Sequence, residues 1–117
     1  MKHAMDLKQI RYFVAVAEAR SFTLAAERLH ITQPPLSRQI LLLEQSLGVQ
    51  LIERDSRPLH LTEAGRLFYE QSVQILLRIE HMQQATSRIG QSYQQQLSIG
   101  FVASTLYGEL PILIQSF

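Results

Sequence analysis

Cysteine is absent from the 117 residues, which removes disulfides, thiolate catalysis and cysteine-based zinc sites together. Charge of either sign is sparse. Charged residues are 18% of the chain and the formal net charge is +1, so no block of like charge points to disorder or a polyionic tail. The balance is too mild to announce a nucleic-acid partner by itself. No apolar run approaches the roughly 20 residues needed to cross a bilayer, and the N-terminus lacks a signal core. Four scattered histidines, His3, His30, His60 and His81, give no metal-ligand spacing, so neither metal nor cofactor is expected. A cytoplasmic protein without membrane contact is the resulting expectation.

Apolar residues make up 46%, enough for one small packed domain. All eleven Lys and Arg residues lie between Lys2 and Arg88, and the last 29 residues hold a single acid and no base. The C-terminal stretch therefore differs in character from the rest.

Leu7, Ile10, Phe13, Val14 and Ala17 recur at helical spacing and predict a helix over 6–20, with Asp6 as N-cap. Ser21 and Thr23 offer caps for a short helix over 23–29, whose Ala25-Ala26 pair permits close approach of another helix. After a turn at His30-Ile31-Thr32, a third helix is expected from Gln33 to Leu47, stopped by Gly48. Pro34 and Pro35 fit its first turn, where the amide groups have no intrahelical acceptor. Leu36, Ile40, Leu43 and Leu47 form its inward stripe. Gln33, Ser37 and Arg38 are left outside it.

Residues 51–61 read as a short hairpin, with Pro58 at an edge or loop exit. Thr62 caps a long helix over 63–90, in which Gly65 is expected to permit a close backbone contact. Phe68, Ser72, Ile75, Ile79, Met82, Thr86 and Ile89 recur there at alternating steps of four and three. That is the seam of a two-helix coil, and a helix of roughly 40 Å is too long for one small domain to bury. Residues 90–96 read as a polar linker, 97–102 as a strand and 106–117 as a helix. A lone parallel strand needs partners, so further chain is expected beyond it.

Two helices joined by a tight turn, followed by a hairpin, fit a DNA-reading helix-turn-helix with a wing. Gln33 can address an adenine edge, Arg38 a guanine or a phosphate, and Ser37 either a base or a phosphate. Prolines at the helix tip suit a thymine methyl. Arg57 at the hairpin tip fits a narrow minor groove, and Arg54 the backbone nearby. The residues alone leave a second reading open, a protein-interaction module that assembles through the long helix. An enzyme is disfavoured, because no nucleophile motif, phosphate loop or metal box surrounds the polar residues, and no catalytic residue is assigned.

The stretch from Ser21 to Gly65 resembles the DNA-binding domain of LysR-type transcriptional regulators. Ala-Ala-Glu-Arg-Leu, Gln-Pro-Pro-Leu-Ser-Arg-Gln-Ile, Leu-Gly-Val-Gln-Leu-Ile-Glu-Arg and Leu-Thr-Glu-Ala-Gly all stand at family spacing, in register from about Asp6 to Ile89. The resemblance implies a mainly α architecture. A winged helix-turn-helix (1–62) and a dimerising linker helix (63–90) precede the hinge and first βα step of an α/β effector domain (91–117). It implies double-stranded DNA as partner, dimers or tetramers on dyad-symmetric sites, and a small-molecule effector in the full-length protein. By position, Gln33, Pro34, Pro35, Ser37 and Arg38 would face the major groove and Arg57 the minor groove. Thr23 and Thr32 would meet phosphates. Ser104 and Thr105 would belong to the effector pocket of the parent protein. The paired prolines, the Ser56-Arg57-Pro58 wing and the segment 99–104 resemble the branch that controls aromatic-compound catabolism.

Overall fold

The computed structural model describes residues 5–99, with side chains as far as Tyr93. The element order is α1 (Leu7–Ala19), α2 (Phe22–Leu29), α3 (Gln33–Leu47), β1 (Ile52–Glu53), β2 (His60–Leu61) and α4 (Glu63–Ile99). The chain divides into two units, residues 1–76 and 77–117.

In the first unit, each helix starts and stops for a local reason. Asp6 accepts the Gln9 amide at 2.8 Å, and the Gln9 side chain accepts the Asp6 amide at 3.4 Å, closing a capping box on α1. Ser21, not Thr23, caps α2, accepting the Leu24 amide at 3.0 Å. Arg20 and His30 end α1 and α2 in the left-handed region, at φ 55° and 59°. Gly48 ends α3 at φ 73°. The turn between α2 and α3 is therefore made without glycine.

The core is Phe13, Val16, Ala25, Ala26, Leu36, Ile40, Leu43, Leu51 and Ile52. Burying each of the large members contributes roughly 1.5–3 kcal/mol. Val16 is buried where the periodicity favours Val14 and Ala17, which are only half-buried. Leu47, expected inward, is 39% exposed, because Glu44 takes the last inward turn of α3 instead.

β1 and β2 pair antiparallel, Ile52 with Leu61 and Glu53 with His60. Thr62 joins this hairpin to α4. Its hydroxyl donates to the Gln50 carbonyl at 2.7 Å and accepts the Gly65 amide at 2.9 Å. A Cβ on Gly65 would collide with the Leu51 carbonyl oxygen and lie 3.2 Å from the Leu61 Cβ. The close backbone approach expected at this glycine is present.

In the second unit, the described residues are the run of α4 from Leu77 to Ile99. The polar linker expected at 90–96 is helix, and so are residues 97–99, where a strand is expected from the sequence. One glycine costs a helix only about 1 kcal/mol, and glutamine is a good helix former. The rest of the expected strand, the helix over 106–117, Ser104 and Thr105 lie outside the described residues. Among the described residues, no helix is long and apolar enough to cross a membrane.

Candidate nucleic-acid interface

The first unit gathers most of the sequence-predicted DNA residues around one groove of about 740 Å³. Its lining includes Ser21, Phe22 and Thr23 from the start of α2, Gln33 and Ser37 from the start of α3, and Arg54, Arg57 and Leu59 from the wing. Helix α3 meets this groove with its first turn, where Pro34 and Pro35 are exposed. Thr32 stands at the N-cap of α3, exposed, without a side-chain cap bond. Proline supplies no amide hydrogen, so this helix tip is poor in backbone donors and leaves recognition to side chains. Arg38 is exposed one residue beyond Ser37.

Gln33 and Ser37 lie one turn apart on one face. The Gln33 Nε2 donates to the Ser37 hydroxyl at 2.8 Å. That bond holds the amide plane in place, leaving Oε1 and one N–H for a two-point contact of the kind an adenine edge offers.

The wing behaves differently from the expectation at one residue. Arg57 is exposed, as a groove-inserting arginine must be. Arg54 is half-buried at the wall of the groove and already paired. Its Nη1 lies 3.0 Å from Glu44 Oε1, and its guanidinium sits over the Phe22 ring at 5.6 Å. Its Nη2 is buried without a hydrogen-bond partner among the described residues. Arg54 thus braces the wing, with its charge already paired to Glu44.

Glu44 is the residue that sequence reasoning missed. It is 7% exposed, and its Oε2 accepts the Leu51 and Ile52 amides at 2.8 and 3.2 Å. A signal was available. Position 44 follows Ile40 by four, so it falls on the inward stripe of α3, where an acid requires partners.

The heptad seam also changes. Phe68 packs edge-to-face on Phe13, with centroids 5.2 Å apart and planes at 76°, and Ser72, one turn later, is 1% exposed. Ser72 is thus enclosed by its own unit, while Phe68 is half-buried and shares its face with that core. Tyr69 donates to Glu18 Oε2 at 2.8 Å; this bond first, then burial and the Glu18 charge, raises its pKa above 10.0. Of the remaining seam, Ile75 is exposed in the first unit. In the second unit Met82 and Thr86 are exposed and Ile79 and Ile89 half-buried. Leu67 and Leu77 are also exposed apolar positions on α4, outside the predicted seam.

A family model described as a bacterial regulatory helix-turn-helix protein of the lysR family matches residues 7–66. The chain is 63% identical over 111 residues to a probable cat1 operon transcriptional activator of Acinetobacter lwoffii, covering 95% of this chain and 37% of that protein. It is 56% identical over 111 residues to the regulator CatR of Pseudomonas putida, covering 95% and 38%. The chain thus spans under two-fifths of the length of these relatives. Among solved structures, the DNA-binding domain of BenM bound to catB site 1 DNA matches with TM-score 0.74 and 50% identity, over 75% of this chain and 95% of that one. BenM is a transcriptional regulator of Acinetobacter baylyi. The relatives are regulators of transcription and not enzymes. With the winged helix-turn-helix, the matched motifs and these likenesses in agreement, the chain belongs to the LysR family of bacterial helix-turn-helix regulators.

Proposed function

We propose that this chain is the DNA-reading and self-associating part of a sequence-specific transcription regulator. One observation carries the reading: the first turn of α3 and the wing arginine Arg57 border the same groove. A duplex can therefore meet base-reading side chains in its major groove and a cation in the adjacent minor groove. Gln33, Pro34, Pro35, Ser37 and Arg38 read the major groove, and Thr23 and Thr32 hold phosphates. The match to a domain solved on DNA supports this placement.

In this reading α4 pairs two copies, or four as two pairs, on a dyad-symmetric promoter site. Ile75, Ile79, Met82, Thr86 and Ile89 form the seam. Control by a small molecule belongs to an effector domain beginning after α4, with Ser104 and Thr105 toward its ligand. The branch resemblance makes a small aromatic compound the class of effector. A DNA partner supports a cytoplasmic location.

The test is selection of bound duplexes from a random pool, followed by anisotropy titration of the winner across salt. A dyad-symmetric consensus with a steep salt slope is the expected outcome, since each neutralised phosphate releases counterions. An unenriched pool with a flat slope would leave protein assembly through α4 as the function.

A further inference from the structure

We propose that the Glu44–Arg54 pair is a positioning device that fixes the wing against the base-reading helix, so that Arg57 contributes to binding through it. The proposal rests on the DNA-reading function above and adds residues that touch no DNA.

The wing loop is tied at both ends. At its entry, Glu44 of α3 accepts the Leu51 and Ile52 amides with one oxygen and pairs with Arg54 through the other. At its exit, the Leu59 amide donates to the Arg20 carbonyl at 3.2 Å, at the corner between α1 and α2. Arg54 also covers the ring of Phe22, the first residue of α2. Only residues 55–58 lie between the two ties, and Arg57 is one of them. Reading two adjacent grooves at once requires a fixed spacing between the α3 tip and Arg57. A wing held in advance does not lose ordering entropy when it docks.

Stability alone gives a weak reason for the pair. A buried ion pair is commonly no more stabilising than neutral groups of similar size, whereas removing one partner is costly. Glu44→Gln with Arg54→Met therefore keeps an acceptor for the two amides and an unbranched chain over Phe22. It deletes the charged ties, the ion pair and the cation over the Phe22 ring, and keeps the packing and the amide acceptor.

The experiment is a cycle of DNA affinities on the selected duplex, read by anisotropy, with thermal melting as the check on folding. In the parent chain, Arg57→Ala is expected to weaken binding about tenfold. On the Glu44→Gln/Arg54→Met background the same change is expected to cost less than about threefold. Arg38→Ala, which acts from α3, is expected to cost the same on both. Arg54→Lys, which keeps a cation within reach of Glu44, is expected to retain most of the Arg57 effect.

An Arg57 effect of equal size on both backgrounds would overturn the positioning role. So would an Arg38 effect that shrinks in parallel, which marks general loosening of the domain. Arg57→Ala without effect in the parent chain would refute the wing contact itself, and the positioning role with it. Failure of the pool to yield any preferred duplex would instead refute the DNA-reading function on which both depend.

Discussion

Gly65 and Gly90 are chemically identical positions on one helix with opposite surroundings. At Gly65 the missing side chain lets α4 start against the Leu51 carbonyl, and a Cβ has nowhere to go because both obstacles are backbone or Cβ atoms. Gly65→Ala should lower stability by about 3 kcal/mol, the scale of an overpacked contact. At Gly90 a Cβ would meet no atom within 4 Å, so Gly90→Ala should raise local helix stability by about 1 kcal/mol. Chemical denaturation and amide exchange measure the two. A tolerated Gly65→Ala would mean that α4 can shift away from Leu51 and Leu61 without loss. Arg38 poses a different question at the same scale, being exposed and free to reach a base or a phosphate. If it reads a base, Arg38→Ala costs about 1–3 kcal/mol of binding and relaxes preference at one half-site position. An equal loss on every sequence assigns it to the phosphates.

Elements succeed or fail by what they are packed against. Helix α4 is tied to α1 by Phe68 on Phe13 and by Tyr69 on Glu18. The Tyr69 phenol donates to a carboxylate, so its pKa is raised above 10.0, and this tie requires the protonated form. Its stabilisation is fully present below pH 10 and lost as pH rises through the higher folded value. Melting temperature should therefore fall more steeply above about pH 10 in the parent chain than in Tyr69→Phe. Parallel curves would show that the hydrogen bond contributes nothing. The same packing explains what the sequence could reveal. The spans of α1 and α3 are legible because Asp6, Pro34 and Gly48 are local signals that act within one turn. The seam on α4 is only partly legible, because a step of four and three looks the same whether a helix faces its own core or a second copy. Ser72 is enclosed by its own unit and Phe68 packs partly on Phe13, so the first turns of the repeat serve the core of the first unit. The spacing of Glu44 marks it as inward, but its partners are hidden. Its partners are two backbone amides and Arg54, and a backbone amide leaves no mark in a sequence. The end of α4 is easily misread because a glycine followed by glutamines resembles a linker in composition while still propagating a helix.

For the whole molecule, the mild net charge of +1 means that affinity has to come from the placement and number of contacts. One winged domain offers few cations to the phosphates, whereas two domains joined through α4 double them and make the second contact intramolecular. Linked binding of this kind raises overall affinity by roughly 10²–10⁴ without any new contact. Ile79 sits in the second unit, half-buried on α4 and within the proposed seam. Ile79→Glu places a charge opposite itself in a two-copy seam, where both carboxylates lose water and repel. The expected result is a monomer by sedimentation, with an intact thermal transition of the winged domain and unchanged affinity for an isolated half-site. Affinity for the full dyad site should drop by roughly the linked-binding factor of 10² or more. If the variant remains a dimer, the paired surface lies elsewhere on α4, and the exposed Leu67 and Leu77 become the positions to charge next. If it becomes a monomer while full-site affinity holds, each winged domain binds independently, and the long helix serves a purpose other than joining two readers.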